Sequence, residues 1–175
     1  YQLLMPVGNQ KAEAGYKKRK LGRFKKLSYD LAGPLLFNPI KQSLGLHKAR
    51  ICYTSGTMLS EDAFKFYHAL DLPLKNLYGS TEGGALSGAR NDDIRPHTVG
   101  PAHKGTEVRV TSEGEIVYRQ PGTFVGYYKD PSKTSEVLKD GWFHTGDSGF
   151  IDDHGHLVLL GRRASLVRLA NGESL

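Results

Sequence analysis

Apolar side chains recur at helical spacing near the start of the chain. Five of them lie three to five residues apart among basic residues: Tyr16, Leu21, Phe24, Leu27 and Leu31. This pattern predicts one helix over residues 10–31, which ends at the Gly-Pro pair at 33–34. A second, short helix is predicted over residues 38–44, with Ile40 and Leu44 facing inward.

A strand, a helix and a second strand are predicted next. Apolar runs at residues 50–53 and 74–78 indicate two strands, the first of them buried. Between them Ser60 is a suitable helix N-cap, and two acidic residues follow it where the helix dipole favours them. Polar, glycine-rich loops follow the strands at 54–57 and 79–84. Ligands of open α/β sheets bind beyond the carboxyl ends of strands, so both loops are candidate binding loops.

The remainder of the chain is rich in predicted strands. Residues 108–110 and 115–119 alternate around a Ser-Glu-Gly turn, and residues 142–160 indicate a hairpin. One helix is predicted over residues 131–138, and a last strand over residues 166–169. The predicted fold class is therefore α/β, with a βαβ sheet unit followed by a β-rich part.

Composition narrows the class of protein. The chain has 175 residues, of which 38% are hydrophobic and 24% charged, as in soluble globular domains. Its single cysteine, Cys52, excludes an internal disulfide framework and a cysteine-based zinc site. No apolar run approaches the roughly 20 residues of a membrane span. We therefore expect a cytoplasmic protein.

Positive charge is concentrated at the start of the chain. Residues 1–50 carry eleven Lys or Arg and two acidic residues, a net charge of +9 against +6 for the whole chain, which leaves −3 for the other 125 residues. A solvated helix face explains this cluster most simply. The alternative is a negative partner, and few aromatic residues are interleaved for stacking on bases. We therefore expect no nucleic acid, and a possible peripheral contact of the basic N-terminal helix with the inner face of a membrane.

Residues 142–162 contain the most specific chemistry. Asp147 follows a glycine in a predicted turn, where its carboxylate can accept hydrogen bonds from two vicinal hydroxyls. Arg162 follows the predicted hairpin, and its guanidinium can bind a phosphate or the same sugar. A nucleotide carries both groups. The simpler interpretation of Asp147 is a turn residue that bonds its own backbone.

Three segments in fixed order resemble one family. They are YGSTE at 78–82, the stretch from GEIVYRQPG to WFHTGD at 114–147, and Gly161-Arg162 followed by a predicted strand and NGE at 171–173. This combination resembles the adenylate-forming enzymes, specifically the long-chain fatty acyl-CoA synthetase branch, over roughly residues 48–175. The resemblance implies that ATP activates a fatty acid to an acyl-adenylate with release of pyrophosphate, and that the acyl group then passes to coenzyme A.

The resemblance also assigns site residues. It implies that Tyr78 stacks on adenine, that Thr81 contacts phosphate within a loop that includes Gly79 and Ser80, and that Glu82 holds Mg²⁺. Gly56 and Thr57 resemble the wall on which adenine lies, because Gly lets the ring approach the backbone. Asp147 would bind the ribose hydroxyls, and Arg162 the ribose or the α-phosphate side. The residues implied in catalysis are Thr81, Glu82 and Arg162.

The same resemblance implies a division of the chain into four parts. They are a basic helical segment of the adenylation domain (1–47), an α/β adenine-binding portion (48–103), a β-rich, barrel-like subdomain (104–161), and a hinge with the start of a C-terminal domain (162–175). The family's Lys-containing phosphate loop is not found, since Met58 and Leu59 follow Thr57. The family's catalytic lysine would lie in the C-terminal domain. We therefore expect an internal fragment that is inactive alone.

One departure and two alternatives stay open. Ala164 and Ser165 stand where the family has charged residues at its hinge, which leaves the hinge in doubt. The chain could instead come from another carboxylate-adenylating ligase, for a short-chain or an aryl acid. It could also be a non-catalytic basic module that binds membranes or nucleic acid.

Overall fold

The computed structural model describes residues 5–165 of the chain. Contacts divide the described residues into two compact units, residues 5–76 with 90–97, and residues 77–89 with 98–165. The predicted four-part division of the sequence stays a prediction. No helix in residues 5–165 is both long and apolar enough to cross a membrane.

The first unit is mainly helical. In chain order its elements are α1 (Met5–Tyr16), α2 (Arg23–Ala32), a π-helical turn (Gly33–Phe37), α3 (Asn38–Ser43), β1 (Cys52–Thr54), α4 (Glu61–Ala69) and the beginning of β2 (Leu74–Ser80). Strand β1 pairs with β2 in parallel, with Cys52 opposite Leu74. The predicted strand, helix and strand are thus confirmed as a βαβ unit.

Helices α1, α2 and α4 enclose the core of this unit. Its buried side chains include Tyr29, Phe37, Ala69 and Leu70. The Tyr29 and Phe37 rings lie 5.1 Å apart, and the Tyr29 hydroxyl donates to the Ala69 carbonyl at 3.3 Å. The predicted cap of α4 is confirmed, because Ser60 Oγ accepts a hydrogen bond from Ala63 N at 3.2 Å.

The prediction of one helix over residues 10–31 is wrong. The chain is already helical at Met5, leaves the helix after Tyr16, and resumes it at Arg23. Lys18 in the break has a φ of +51°. Four consecutive cations at residues 17–20 repel one another, and Gly22 at the N-cap of α2 weakens helix continuity, which explains the break.

Two burial predictions in this unit are also wrong. Leu44 is exposed rather than inward-facing, and β1 is a strand of intermediate and exposed residues rather than a buried one. Within the described residues β1 pairs only with β2, so its other edge gains no cover from a neighbouring strand. The predicted short helix over 38–44 is confirmed as α3, although the π-helical turn joins it to α2 without a stop at Gly33.

The second unit is built on antiparallel sheets. It contains the end of β2, β3 (Gly84–Gly88), β4 (Glu107–Val110), β5 (Glu115–Arg119), α5 (Pro131–Val137), β6 (Leu138–Lys139), β7 (Trp142–Ile151), β8 (Leu157–Arg162) and a 3₁₀ turn (Arg163–Ser165). Strands β4, β5, β7 and β6 are neighbours in that order, and β8 pairs with β7. The predicted hairpin over 142–160 is confirmed, whereas β3 was not predicted. The strand predicted over 166–169 and the NGE segment lie outside the described residues.

Candidate nucleotide site

Asp147 lies near the middle of the long strand β7. It pairs with Arg162 of β8, fifteen residues further along the chain. The prediction that Asp147 sits in a tight turn is wrong, because the hairpin turns around residues 152–155 and Asp147 is within the ladder. Asp147 and Arg162 are therefore partners at the open end of the hairpin, not residues at its two ends.

Two side chains share the Asp147 carboxylate. Arg162 Nε lies 3.0 Å from Oδ1, and Tyr78 Oη donates to Oδ2 at 2.7 Å. The carboxylate is thus engaged by other side chains rather than by its own backbone, which disfavours the simple turn-residue interpretation. The Asp147 side chain is 18% exposed and that of Arg162 69%. A soluble ligand can therefore reach the pair from the Arg162 side.

Arg162 is oriented by a second contact. Its Nη1 donates to the Thr145 carbonyl at 2.9 Å. Two of the five guanidinium N–H groups are thus assigned to Thr145 and Asp147, and the exposed remainder can bind an anion. Next to this contact, Gly146 has a φ of +69°, a conformation that glycine adopts without strain.

Tyr78 is buried, whereas a ring that stacks on a base needs an exposed face. Its side chain is buried, with 6% of the residue exposed. Burial, and then the hydrogen bond to Asp147, raise the pKa of the Tyr78 hydroxyl well above its ordinary value, so it stays a donor. Little of the ring surface is free for a base. The predicted stacking of Tyr78 on adenine stays a prediction, and its contact with Asp147 is one that sequence reasoning missed.

The loop after β2 carries the predicted phosphate and metal residues. Ser80 Oγ lies 3.1 Å from Tyr118 Oη, and Thr81 is exposed. Glu82 Oε1 accepts a hydrogen bond from Tyr127 Oη at 2.8 Å. Gly83 packs on Tyr118 so closely that a Cβ would collide with the phenol. Tyr118 and Tyr127 are thus two further site residues, and no sequence motif indicated their contacts.

Glu82 offers one carboxylate rather than a metal cage. Among residues 5–165, no group of three or more His, Cys, Asp or Glu side chains could hold a metal ion. Mg²⁺ commonly binds through one or two carboxylates together with substrate phosphates and water. Glu82 therefore fits a cation that arrives with a nucleotide, and does not fit a resident all-protein metal site.

Gly56 and Thr57 belong to the first unit. Both are exposed in the segment after β1, and Gly56 has a φ of +86° with open space beside its Cα. Open space there is what an approaching ring requires. Their predicted contact with adenine stays a prediction.

A buried carboxylate supports the Asp147 segment from the neighbouring strand. Glu115 of β5 accepts hydrogen bonds from His144 Nδ1 at 3.0 Å, Gly146 N at 3.0 Å and Arg163 Nη1 at 3.1 Å. Burial alone would raise the pKa of Glu115, but these donors and the positive charge of His144 and Arg163 outweigh it and lower the pKa. Glu115 thus joins the backbone before Asp147 to the residue after Arg162.

Comparison with known proteins identifies the family of this chain. The sequence pattern of the AMP-binding enzymes matches residues 2–128. The chain belongs to the AMP-binding enzyme family. The predicted family is therefore confirmed.

Two relatives in this family are named as long-chain ligases. The chain is 34% identical over 143 residues to the long-chain-fatty-acid–CoA ligase heimdall of Drosophila melanogaster, covering 78% of this chain and 21% of the relative. It is 31% identical over 156 residues to the long-chain-fatty-acid–CoA ligase ACSBG2 of Xenopus laevis, covering 85% of this chain and 21% of the relative. The chain thus spans about a fifth of the length of these AMP-binding relatives.

Solved structures agree on the fold. The ATP-bound structure of MatB from Rhodopseudomonas palustris aligns with a TM-score of 0.66 at 31% identity, over 72% of this chain and 28% of that one. The anthranilate CoA ligase AuaEII aligns with a TM-score of 0.68 at 22% identity, over 74% of this chain and 27% of that one, a likeness of fold alone. The predicted α/β adenylation-domain fold of this AMP-binding chain is confirmed.

Proposed function

We propose that this chain supplies part of the ATP site of an enzyme that converts a long-chain fatty acid to its acyl-adenylate and then to acyl-CoA. The observation that carries the proposal is the partly exposed pair of Asp147 and Arg162, with Tyr78 beneath it. A carboxylate beside a guanidinium matches the ribose hydroxyls and phosphate of an adenylate. The solved relative MatB has been observed with ATP.

Each of the proposed site residues binds a different part of the nucleotide. Asp147 accepts hydrogen bonds from the ribose hydroxyls, and Arg162 binds the ribose or neutralises charge on the α-phosphate. Thr81 donates to a phosphate oxygen from the exposed loop that follows Gly79 and Ser80. Glu82 holds the Mg²⁺ that accompanies ATP, and this cation would neutralise charge on the phosphates during adenylation.

Fewer residues of this chain are proposed to bind the adenine ring, the fatty acid or coenzyme A. Gly56 and Thr57 are the proposed wall for adenine, and Tyr78 is the proposed stacking residue. A long-chain fatty acid is the proposed acid because the named sequence relatives are long-chain ligases. Coenzyme A is the proposed acyl acceptor for the same reason. Short-chain and aryl acids are the alternatives.

Ligand binding tests this proposal. Isothermal titration of the chain with AMP should give saturable binding, and a non-hydrolysable palmitoyl-adenylate analogue should bind more tightly than its acetyl or benzoyl counterparts. Tighter binding of the acetyl or benzoyl analogue would favour the corresponding ligase, and no binding of AMP would contradict the proposal. Because the 175 residues span about a fifth of their relatives, we expect no pyrophosphate release from ATP and palmitate. Release would contradict that expectation.

We also propose a peripheral contact between α2 and an anionic membrane on the cytoplasmic side. The helix packs Tyr29 and Ala32 inward, while Phe24 is 89% exposed and Leu27 and Leu31 are also exposed. Cations flank this apolar stripe: Lys20, Arg23, Lys25 and Lys26. An amphipathic helix with this distribution lies in the interface of membranes that carry anionic lipid, which are typical of the cytoplasmic leaflet.

Vesicle co-sedimentation separates the apolar and electrostatic contributions. Phe24→Ser with Leu27→Ser should reduce binding to phosphatidylserine vesicles, and neutralising Lys17, Lys18, Arg19 and Lys20 should reduce it further at low salt. Val125→Ser is the matched control, because Val125 is exposed in the other unit. Binding unchanged by the first two changes would contradict a role for this surface.

A further inference from the structure

Residues 120–127 contact the predicted metal residue and its neighbour through three hydrogen bonds. Phe124 N donates to the Glu82 carbonyl at 2.7 Å, and Gln120 Nε2 donates to the Gly83 carbonyl. Tyr127 Oη donates to the Glu82 carboxylate, 2.8 Å from Oε1. Two of these contacts fix the backbone at residues 82–83. The third acts on the side chain that the proposed chemistry uses.

The position of Tyr127 is itself determined by its surroundings. Its backbone N donates to Thr134 Oγ1 of α5 at 2.9 Å. Gly126 has a φ of +149° and lies against Thr134, where a Cβ would come within 2.9 Å of the Thr134 methyl carbon. The Tyr127 ring meets Phe124 edge-on at 4.9 Å, and Phe124 in turn contacts Phe143 of β7. The phenol therefore approaches Glu82 from a defined direction.

This approach restricts the Glu82 side chain. A free glutamate samples several rotamers, and ordering it has an entropic cost. The Tyr127 hydrogen bond is made to Oε1, and a carboxylate has further acceptor sites that a cation can use. The Glu82 carboxylate raises the pKa of Tyr127, chiefly through this hydrogen bond, so the phenol stays protonated as the donor.

We propose that Tyr127 is a positioning residue that orients the Glu82 carboxylate for the Mg²⁺ bound with ATP. The inference rests on the proposed function, because it requires a nucleotide that brings Mg²⁺ to Glu82. Tyr127 acts through Glu82. It therefore affects the gain in ATP affinity that Mg²⁺ provides, and has no effect on recognition of the ribose by Asp147.

Tyr127→Phe is the direct test, because it removes one hydroxyl and keeps the ring. Isothermal titration would measure ATP affinity with and without Mg²⁺, and AMP affinity without Mg²⁺. We expect AMP affinity to stay within about twofold of wild type, and the Mg²⁺-dependent gain for ATP to fall by roughly threefold to tenfold, the worth of one ordinary hydrogen bond. Tyr128→Phe is the matched control, since Tyr128 is adjacent and 88% exposed.

The outcomes distinguish this inference from the proposed function. A Tyr127→Phe protein with the wild-type Mg²⁺ gain would overturn the positioning role and leave the nucleotide site intact. An equal loss of AMP and ATP affinity, independent of Mg²⁺, would show a merely structural role and overturn it as well. A wild-type chain that binds no AMP would overturn the proposed function and, with it, this inference.

A second readout needs no nucleotide. With ¹³C-labelled tyrosine, the Tyr127 resonance is identified by its absence in Tyr127→Phe. Glu82→Gln should then shift the Tyr127 resonance at neutral pH, because the phenol loses its charged acceptor, and the Tyr128 resonance should not move. A Tyr127 resonance that is unaffected by Glu82→Gln would contradict the contact on which the inference depends.

Discussion

At the scale of residues, the candidate site consists of acidic groups held by donors from distant parts of the chain. Asp147 is engaged by Tyr78 and Arg162, and Glu82 is engaged by Tyr127. A nucleotide would exchange some of these contacts for its own hydroxyls and phosphates. The internal donors fix the carboxylates in place beforehand, which reduces the ordering cost of binding.

Tyr78→Phe tests the donor beneath Asp147. The substitution keeps the buried ring and removes the hydroxyl that lies 2.7 Å from Asp147 Oδ2. We expect unfolding free energy to fall by roughly 1–3 kcal/mol, because the hydrogen bond is made to a charged group. Urea denaturation measures this loss. Stability equal to wild type would show that the contact contributes nothing.

Glu115→Gln tests the buried carboxylate that supports the Asp147 segment. The folded-state pKa of Glu115 lies below its unfolded value of about 4.5. Its stabilising contribution is therefore present above about pH 4.5 and is lost as pH falls through the lower folded pKa. We expect Glu115→Gln to be less stable at neutral pH and to lose less stability between pH 5 and 3, a range of roughly two units around the ordinary carboxyl pKa.

Glu113→Gln is the control for that experiment. Glu113 also binds Arg163, at 2.7 Å, but its side chain is 72% exposed. Exposed ion pairs contribute little to stability. Denaturant titrations at several pH values should therefore show the wild-type acid dependence for Glu113→Gln. The same acid dependence in Glu115→Gln would contradict the role given to Glu115.

At the scale of elements, the sequence predicts whether a segment is a helix or a strand better than it predicts where that segment begins and ends. The cap of α4 and the β7–β8 hairpin follow from local signals: a serine before two acids, and an Asp-His-Gly turn followed by an apolar run. Helix α1 could not be bounded in this way. Glycine is a poor helix former, and Gly8 lies against Ala69 of α4, a contact between residues 61 apart that periodicity does not reveal.

The two glycines of α1 make a matched pair of substitutions. In Gly8→Ala the new Cβ would lie 2.9 Å from Ala69 Cβ and 3.2 Å from the Phe37 ring, whereas at Gly15 nothing lies within 4 Å. We expect Gly8→Ala to destabilise the chain by about 1–3 kcal/mol through overpacking. Gly15→Ala should stabilise it by up to about 1 kcal/mol through helix propensity. Thermal unfolding of both variants measures this, and the opposite order would refute the α1–α4 packing.

At the scale of the whole molecule, the family was predictable because its motifs occur in order, and the chain belongs to it. The site was predictable as a set of residues but not as a set of contacts. Tyr78 and Asp147 are 69 residues apart, and their hydrogen bond depends on where β2 and β7 lie in the folded unit. Tyr127 belongs to no pattern that indicates a metal site. Long-range packing of this kind leaves no local signal in the sequence.

The proposed function depends most on one contact, in which Asp147 accepts hydrogen bonds from the ribose hydroxyls of an adenylate. The most direct measurement is isothermal titration of AMP and 2′,3′-dideoxy-AMP into wild type, Asp147→Asn and Asp153→Asn. Asp153 lies exposed in the hairpin turn and controls for the loss of one negative charge. Wild type and Asp153→Asn should prefer AMP by roughly tenfold or more, the worth of hydrogen bonds to a charged group, and Asp147→Asn should lose most of that preference. An equal preference for AMP in all three proteins would contradict the claim.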